Sequence, residues 1–204
     1  MTTTTPSRLE ARVDRWFRTP PGLWWHFALC VPLLLGLVAT SVPGTILLLF
    51  LAALVVGLGF GVWWAVWAIG WRLSDPDGFD PRWLVAPALV IVAAIVFSMR
   101  LPLQLRFDRV QGQFDEIVEE LEPAGSFEDW EPLDVPDRIG GYRITRAYQV
   151  GDNVILYEGN GSLLDDAGFA YLPDGIDSRL GTGWFEQPSF RDLGDGWYSF
   201  TASW

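Results

Sequence analysis

The sequence predicts a membrane protein with three transmembrane helices joined to a small α+β extracytoplasmic domain built on an antiparallel sheet. Three observations carry that expectation. Half of the 204 residues are hydrophobic; apolar runs long enough to cross a bilayer occupy the first half; and alternating aromatic and β-branched residues occupy the last third. The organisation that follows is an amphipathic Arg-rich segment at 1–22, helices at about 23–40, 45–71 and 83–105, a helix and acidic linker at 106–137, and an antiparallel β domain at 138–204.

The formal charge of −11 is unevenly spread. Residues 1–105 hold seven arginines against five acids, a net +2, whereas residues 106–204 hold seven against twenty, a net −13. All fourteen cationic side chains are arginine. A second half this acidic repels nucleic acid and anionic headgroups, so no nucleic-acid partner is expected.

In the N-terminal segment, Ser7 and Glu10 have capping-box spacing, and Leu9, Val13, Trp16 and Phe17 recur at helical intervals among Arg8, Arg12, Arg15 and Arg18. This predicts a short helix on the cytoplasmic leaflet of the lipid bilayer. Docking of a cytoplasmic partner is the lesser alternative.

From Leu23 to Trp71 there is no charged residue. As one helix this stretch would run roughly 70 Å, more than twice the ~30 Å hydrocarbon thickness. Pro43 lacks an N–H and Gly44 supplies turn conformations, so Ser41–Gly44 is where the chain is expected to reverse. The third run, from Trp83, continues past Arg100 to Leu105, with Arg100 snorkelling to an interface.

Flanking arginines set the orientation. Arg8, Arg12, Arg15, Arg18, Arg72 and Arg82 fall on one side, and Arg100, Arg106 and Arg109 on the other. The positive-inside rule makes the first side cytoplasmic and the C-terminal domain extracytoplasmic, a multi-pass arrangement in the cell membrane. Trp24, Trp25, Trp71 and Trp83 are expected at the cytoplasmic interface.

Ala53, Gly57, Gly61 and Ala65 repeat every four residues in the second span, a spacing that lets another helix approach closely. Packing against the protein's own spans is the favoured reading, ahead of dimerisation or docking on a larger membrane complex. The spans lack the ionisable residues of pumps and channels. His26 and Cys30 are single, which removes an intramolecular disulfide or a zinc cluster, and His26 reads as an interfacial or hydrogen-bonded residue rather than a metal or haem ligand. Asp75, Asp77 and Asp80 lie in a Pro- and Gly-containing loop that fits turn chemistry; calcium binding there is the alternative.

After the spans, Phe107, Val110, Phe114, Ile117, Val118 and Leu121 mark one face of a continuing helix, with Pro123–Asp137 as linker. "YRITRAYQV", "GDN" and "VILYEG" read as a hairpin that puts Tyr142, Ile144, Tyr148 and Val150 on one face. "FAYLP" and "WYSFTASW" add two strands, the last presenting Tyr198, Phe200 and Trp204 together after an Asp195-Gly196 turn.

With no His, Cys or Lys in the C-terminal half, Ser-His, Cys-His and Schiff-base chemistry have no players. No catalytic residue, cofactor or metal ligand is assigned. A hydrolase of envelope polysaccharide using Asp165 with Asp166 or Glu158 is the enzymatic alternative, and Asn160-Gly161-Ser162 matches the glycosylation triplet.

"GFAYLPDG" (168–175) and "GWYSFTASW" (196–204) resemble small bacterial membrane proteins in which apolar spans precede an extracytoplasmic domain with GFAY and WY signatures. The resemblance covers about 139–204 and implies no catalytic residues. Phe169 and Tyr171 read as core or cross-strand aromatics, and with Asp174 they mark a possible partner surface. The expected role is a non-catalytic accessory or binding subunit that contacts a membrane or envelope protein. An immunity-type protective membrane binder is the other non-enzymatic reading.

Overall fold

The computed structural model describes residues 16, 19–75, 80–121, 130–160, 165–176 and 186–203. The chain divides into two compact units, Met1–Gly36 with Leu51–Ile95, and Leu37–Phe50 with Val96–Trp204.

The N-terminal part is helical. Helix α1 spans Leu23–Ala39, with Pro32 inside it, and α2 spans Leu47–Ser74. A 3₁₀ turn at Pro81–Leu84 leads into α3 at Val85–Ser98; Asp80 caps that turn by accepting from the Arg82 N–H at 2.9 Å. Leu47–Ser74 and Pro81–Ser98 are long and apolar enough to cross a membrane, whereas α1, at 17 residues, is shorter. The third apolar helix does not run on to Leu105. Arg100 adopts left-handed geometry (φ 49°), which ends the segment although the apolar sequence continues, and the chain restarts as α4 at Leu101–Asp108. A second break at Arg109 and Val110 separates α4 from α5, Gln111–Glu119, so the single helix expected from Phe107 to Leu121 is two short ones.

The C-terminal domain is an antiparallel sheet. Its strands are β1 (Glu131–Pro132), β2 (Arg138–Ile139), β3 (Tyr142–Val150), β4 (Asn153–Glu158), β5 (Asp166–Tyr171), β6 (Glu186–Gly194) and β7 (Trp197–Ser203). The order across the sheet is β1-β3-β4-β5-β7-β6, with β2 also on the outer side of β3. The β3–β4 hairpin through Gly151-Asp152 is the one the sequence predicts, and the expected Asp195-Gly196 turn, where both residues have positive φ as a tight two-residue turn requires, precedes β7; the strand on its other side, β6, is not among the strands the sequence predicts. β6 forms the far edge, with Pro188 within it and two register irregularities against β7.

One face of the sheet packs under α4 and α5. Leu103, Phe107 and Phe114 join Tyr142, Ile144, Ala147, Leu156, Phe169 and Trp197 in a single buried cluster. The helical face expected at Phe107, Val110, Phe114, Ile117, Val118 and Leu121 therefore does face the sheet. Polar stitches fix the helices to the β6–β7 hairpin: Gln104 donates to the Leu193 carbonyl, Gln111 to Asp195, and the Trp197 indole to Asp115, all at 2.8–3.0 Å. The opposite face holds Ile155, Tyr157, Ala170, Leu172, Phe200 and Ala202, with Trp130, Tyr148, Phe190 and Tyr198 against them.

Tyr148 is thus not on the face of Tyr142 and Ile144. The register of β3 against β4 shifts between Ile144 and Arg146, and one extra residue in a strand of period two sends everything beyond it to the other side. Tyr198 and Phe200 share a face as expected, while Trp204 lies outside the described residues. At Gly168 a β-carbon would lie 1.9 Å from the Leu156 carbonyl oxygen, so the β4–β5 approach leaves no room for a side chain.

Candidate functional site

The most closely organised polar constellation gathers around the turn between α1 and α2. Residues 37–50 belong to the same compact unit as the sheet. Val42 is only 4% exposed and packs in the cluster of Leu103, Phe107 and Tyr142, with Ile46 against it. Arg106 on α4 donates to the Ser41 hydroxyl at 3.2 Å and to the Gly141 carbonyl at 3.0 Å, and its guanidinium lies 4.1 Å from the centre of the Tyr142 ring. The Tyr142 hydroxyl donates to the Ser41 carbonyl at 3.4 Å. Burial holds the Tyr142 phenol well above its ordinary value, against the opposing pull of Arg106. Arg191 on β6 donates to the Met99 carbonyl, tying the sheet edge to the residue just past α3.

Sequence reasoning marked Ser41–Gly44 as a turn and did not foresee its burial. The available signal was a valine in a loop without any charge, since a solvated turn rarely has reason to carry one.

A second constellation lies on the other side of the sheet. Arg146 pairs with Asp166 at 2.7 Å and covers the Tyr157 ring at 4.2 Å. Burial, and then the Asp166 carboxylate, push the Tyr157 hydroxyl up to about 12, partly offset by Arg146. Glu158 is buried and accepts from the Arg143 N–H at 3.3 Å and from the backbone and side chain of Asn160 at 2.8 and 2.9 Å. Of the three carboxylates considered for hydrolysis, the two alternatives for pairing with Asp165 are both engaged: Glu158 shapes a turn and Asp166 is ion-paired. Asn160, the first residue of the glycosylation triplet, has its amide on Glu158; Gly161 and Ser162 lie outside the described residues.

Of the possible partner surface, Phe169 is fully buried against Phe107, Phe114 and Tyr142, so it presents nothing outward. This corrects its place in that surface and agrees with its reading as a core aromatic. Tyr171 is half-buried, its ring 5.2 Å from that of Trp197, and Asp174 is exposed in the turn that follows.

In the helical unit, Trp67 stacks on Trp16 at 5.1 Å and meets Trp83 edge-on at 5.7 Å, while Trp71 stacks on Trp83 at 5.0 Å. Trp83, at 3% exposure, is enclosed by the Trp67 and Trp71 indoles. Trp24 is 86% exposed, and Trp25 packs edge-on against Phe60. Ala53 is buried and Ala65 half-buried, but added β-carbons at Gly57 and Gly61 would meet nothing within 4 Å. Among the described residues, therefore, no side chain or backbone closes on these two glycines. His26 Nδ1 lies 3.1 Å from the Gly22 carbonyl oxygen, the hydrogen-bonded setting expected for it. Arg8, Arg12, Arg15, Arg18 and Asp77 lie outside the described residues. Among the described residues no three His, Cys, Asp or Glu side chains form a group able to hold a metal ion.

No family model, curated protein or solved structure matches this chain.

Proposed function

We propose that this chain is a three-span membrane protein with a cytoplasmic N-terminus, and that its acidic sheet domain is an extracytoplasmic, non-catalytic accessory module that binds a protein or envelope component. The observation that carries the topology is the burial of Val42 among Leu103, Phe107 and Tyr142. A turn that packs in a domain's core shares that domain's compartment. The helices on either side of it, α1 and α2, then each cross once, and α3, which leads into the same domain, makes the third crossing. At ~1.5 Å per residue α1 would span roughly 26 Å, within what local bilayer thinning accommodates. Six arginines against three favour the N-terminal side as cytoplasmic.

Binding is favoured over hydrolysis because Glu158 and Asp166 are engaged in a turn and an ion pair. The net charge of −13 in residues 106–204 suits a basic or neutral partner better than anionic headgroups.

The topology is tested in a Cys30→Ser background with Asp174→Cys, using intact cells and a maleimide that cannot permeate. Labelling before lysis is expected, with a Thr19→Cys control labelled only after it; the reverse pattern overturns the scheme. Photo-crosslinking from position 174 in native membranes tests the accessory role. A single adduct chain is expected, and recovery of none argues against a binding subunit.

A further inference from the structure

The way the α1–α2 turn is held carries an inference that goes beyond the proposed function and does not depend on which compartment the domain occupies. Thr45 has φ 71° directly after Gly44 at φ 77°. Left-handed geometry is ordinary for glycine but a genuine outlier for a β-branched residue, and it persists only where the surroundings hold it. The turn's own bonds are Thr45 N–H to the Val42 carbonyl at 3.4 Å and Ile46 N–H to the Ala39 carbonyl at 2.9 Å. The remaining hold comes from the sheet domain: Arg106 on the Ser41 hydroxyl, Tyr142 on the Ser41 carbonyl, and Leu103 and Phe107 in the cluster that buries Val42.

We infer that residues 41–46 are a strap: a piece of the apolar hairpin that completes the core of the sheet domain, so that seating of the turn and ordering of β3 and β5 are one coupled equilibrium. The physical path is short. Tyr142, which holds the turn, has its ring 4.7 Å from Phe169 on β5 and 6.0 Å from Phe114 on α5. Phe169 in turn lies 5.3 Å from Phe107 on α4. An unseated turn uncovers the apolar floor at Leu103 and leaves the Arg106 guanidinium without one acceptor. Displacement of the turn is thereby felt in the sheet, and a ligand that tightens the sheet tightens the turn by the same factor.

The experiment is hydrogen exchange on the full chain in lipid nanodiscs. Val42→Asp places a carboxylate in the cluster, and exchange should accelerate at least about tenfold in residues 142–150 and 166–171 as well as in 41–46. Acceleration confined to 41–46 overturns the strap. Should that variant fail to accumulate, the pair Arg106→Gln and Tyr142→Phe keeps the apolar packing and removes the polar hold. Roughly tenfold acceleration is then expected in both regions, and a change in the turn alone again overturns the inference. Reciprocity supplies the reverse arm: Phe169→Ala should speed exchange in 41–46, and unchanged exchange there contradicts the coupling.

Discussion

The helical unit and the sheet unit spend the same residue types in opposite ways. On α2, Leu58 is 61% exposed, and only Ala53 and Trp67 are buried. In the sheet unit, Phe107, Phe114, Phe169 and Trp197 are wholly enclosed. Water would penalise the first arrangement heavily, because apolar surface of that extent has no aqueous solution other than association. Hydrocarbon does not penalise it at all. The contrast teaches that an apolar residue indicates a core only once its solvent is known, and on the proposed topology the two halves meet different solvents. In a bilayer, where burial from lipid provides little drive, aromatic contacts such as Trp16 with Trp67 and Trp71 with Trp83 would carry the packing of the helical unit.

The sharpest way to break the comparison is to truncate one large side chain from the sheet core. Trp197→Ala should cost about 3–5 kcal/mol in chemical unfolding of the sheet domain, whereas Leu58→Ala should leave the helical unit nearly unchanged. Equal losses would mean that both regions fold against water. Next in size, Leu58→Arg should disfavour membrane insertion by about 2.5–3.5 kcal/mol, read as the fraction of chain resisting carbonate extraction; unaltered extraction would show that α2 does not cross. Within the sheet, Gly168→Ala should cost about 1–3 kcal/mol through overpacking against Leu156, and a neutral outcome would mean that β4 and β5 can separate freely.

Alkaline titration sharpens the comparison further. The Tyr157 hydroxyl is pushed from its ordinary value of 10.0 to about 12 in the folded domain. A raised folded value gives a contribution that is complete below pH 10 and is lost as pH rises towards 12, so domain stability should fall in that window. Tyr157→Phe should flatten part of the fall, which circular dichroism against pH will show. The smallest effect belongs to Arg146→Ala, under about 1 kcal/mol, because the Arg146–Asp166 pair is 45% and 29% exposed and solvent screens it.

What the sequence could disclose follows the range of each interaction. The β3–β4 hairpin and the Asp195-Gly196 turn before β7 were readable because alternation and the Asp-Gly pair act within a few residues, whereas β6, with Pro188 inside it, was not. The helical face of Phe107, Phe114 and Leu121 was readable for the same reason. Its interruption at Arg109 and Val110, and the end of α3 at Arg100, were hidden because apolar periodicity runs through both places while the backbone does not. The β3 irregularity was hidden because Ile144, Thr145 and Arg146 carry no mark of an unpaired residue, yet it decides which way Tyr148 points. The seat of Val42 was the furthest from view. It joins residues 60 and more positions apart, and only the fold brings Ser41, Arg106 and Tyr142 together.

The outermost strand has a consequence of its own. Among the described residues β6 ends the sheet, and an edge strand of this length is the kind that a neighbouring copy could extend with its own strand. Pro188 withholds one donor, and the irregularities near Ser189 and Gly194 bend the rim away from the flat line that such pairing needs. Crowding should therefore leave these domains as separate heads and not zip them into ribbons.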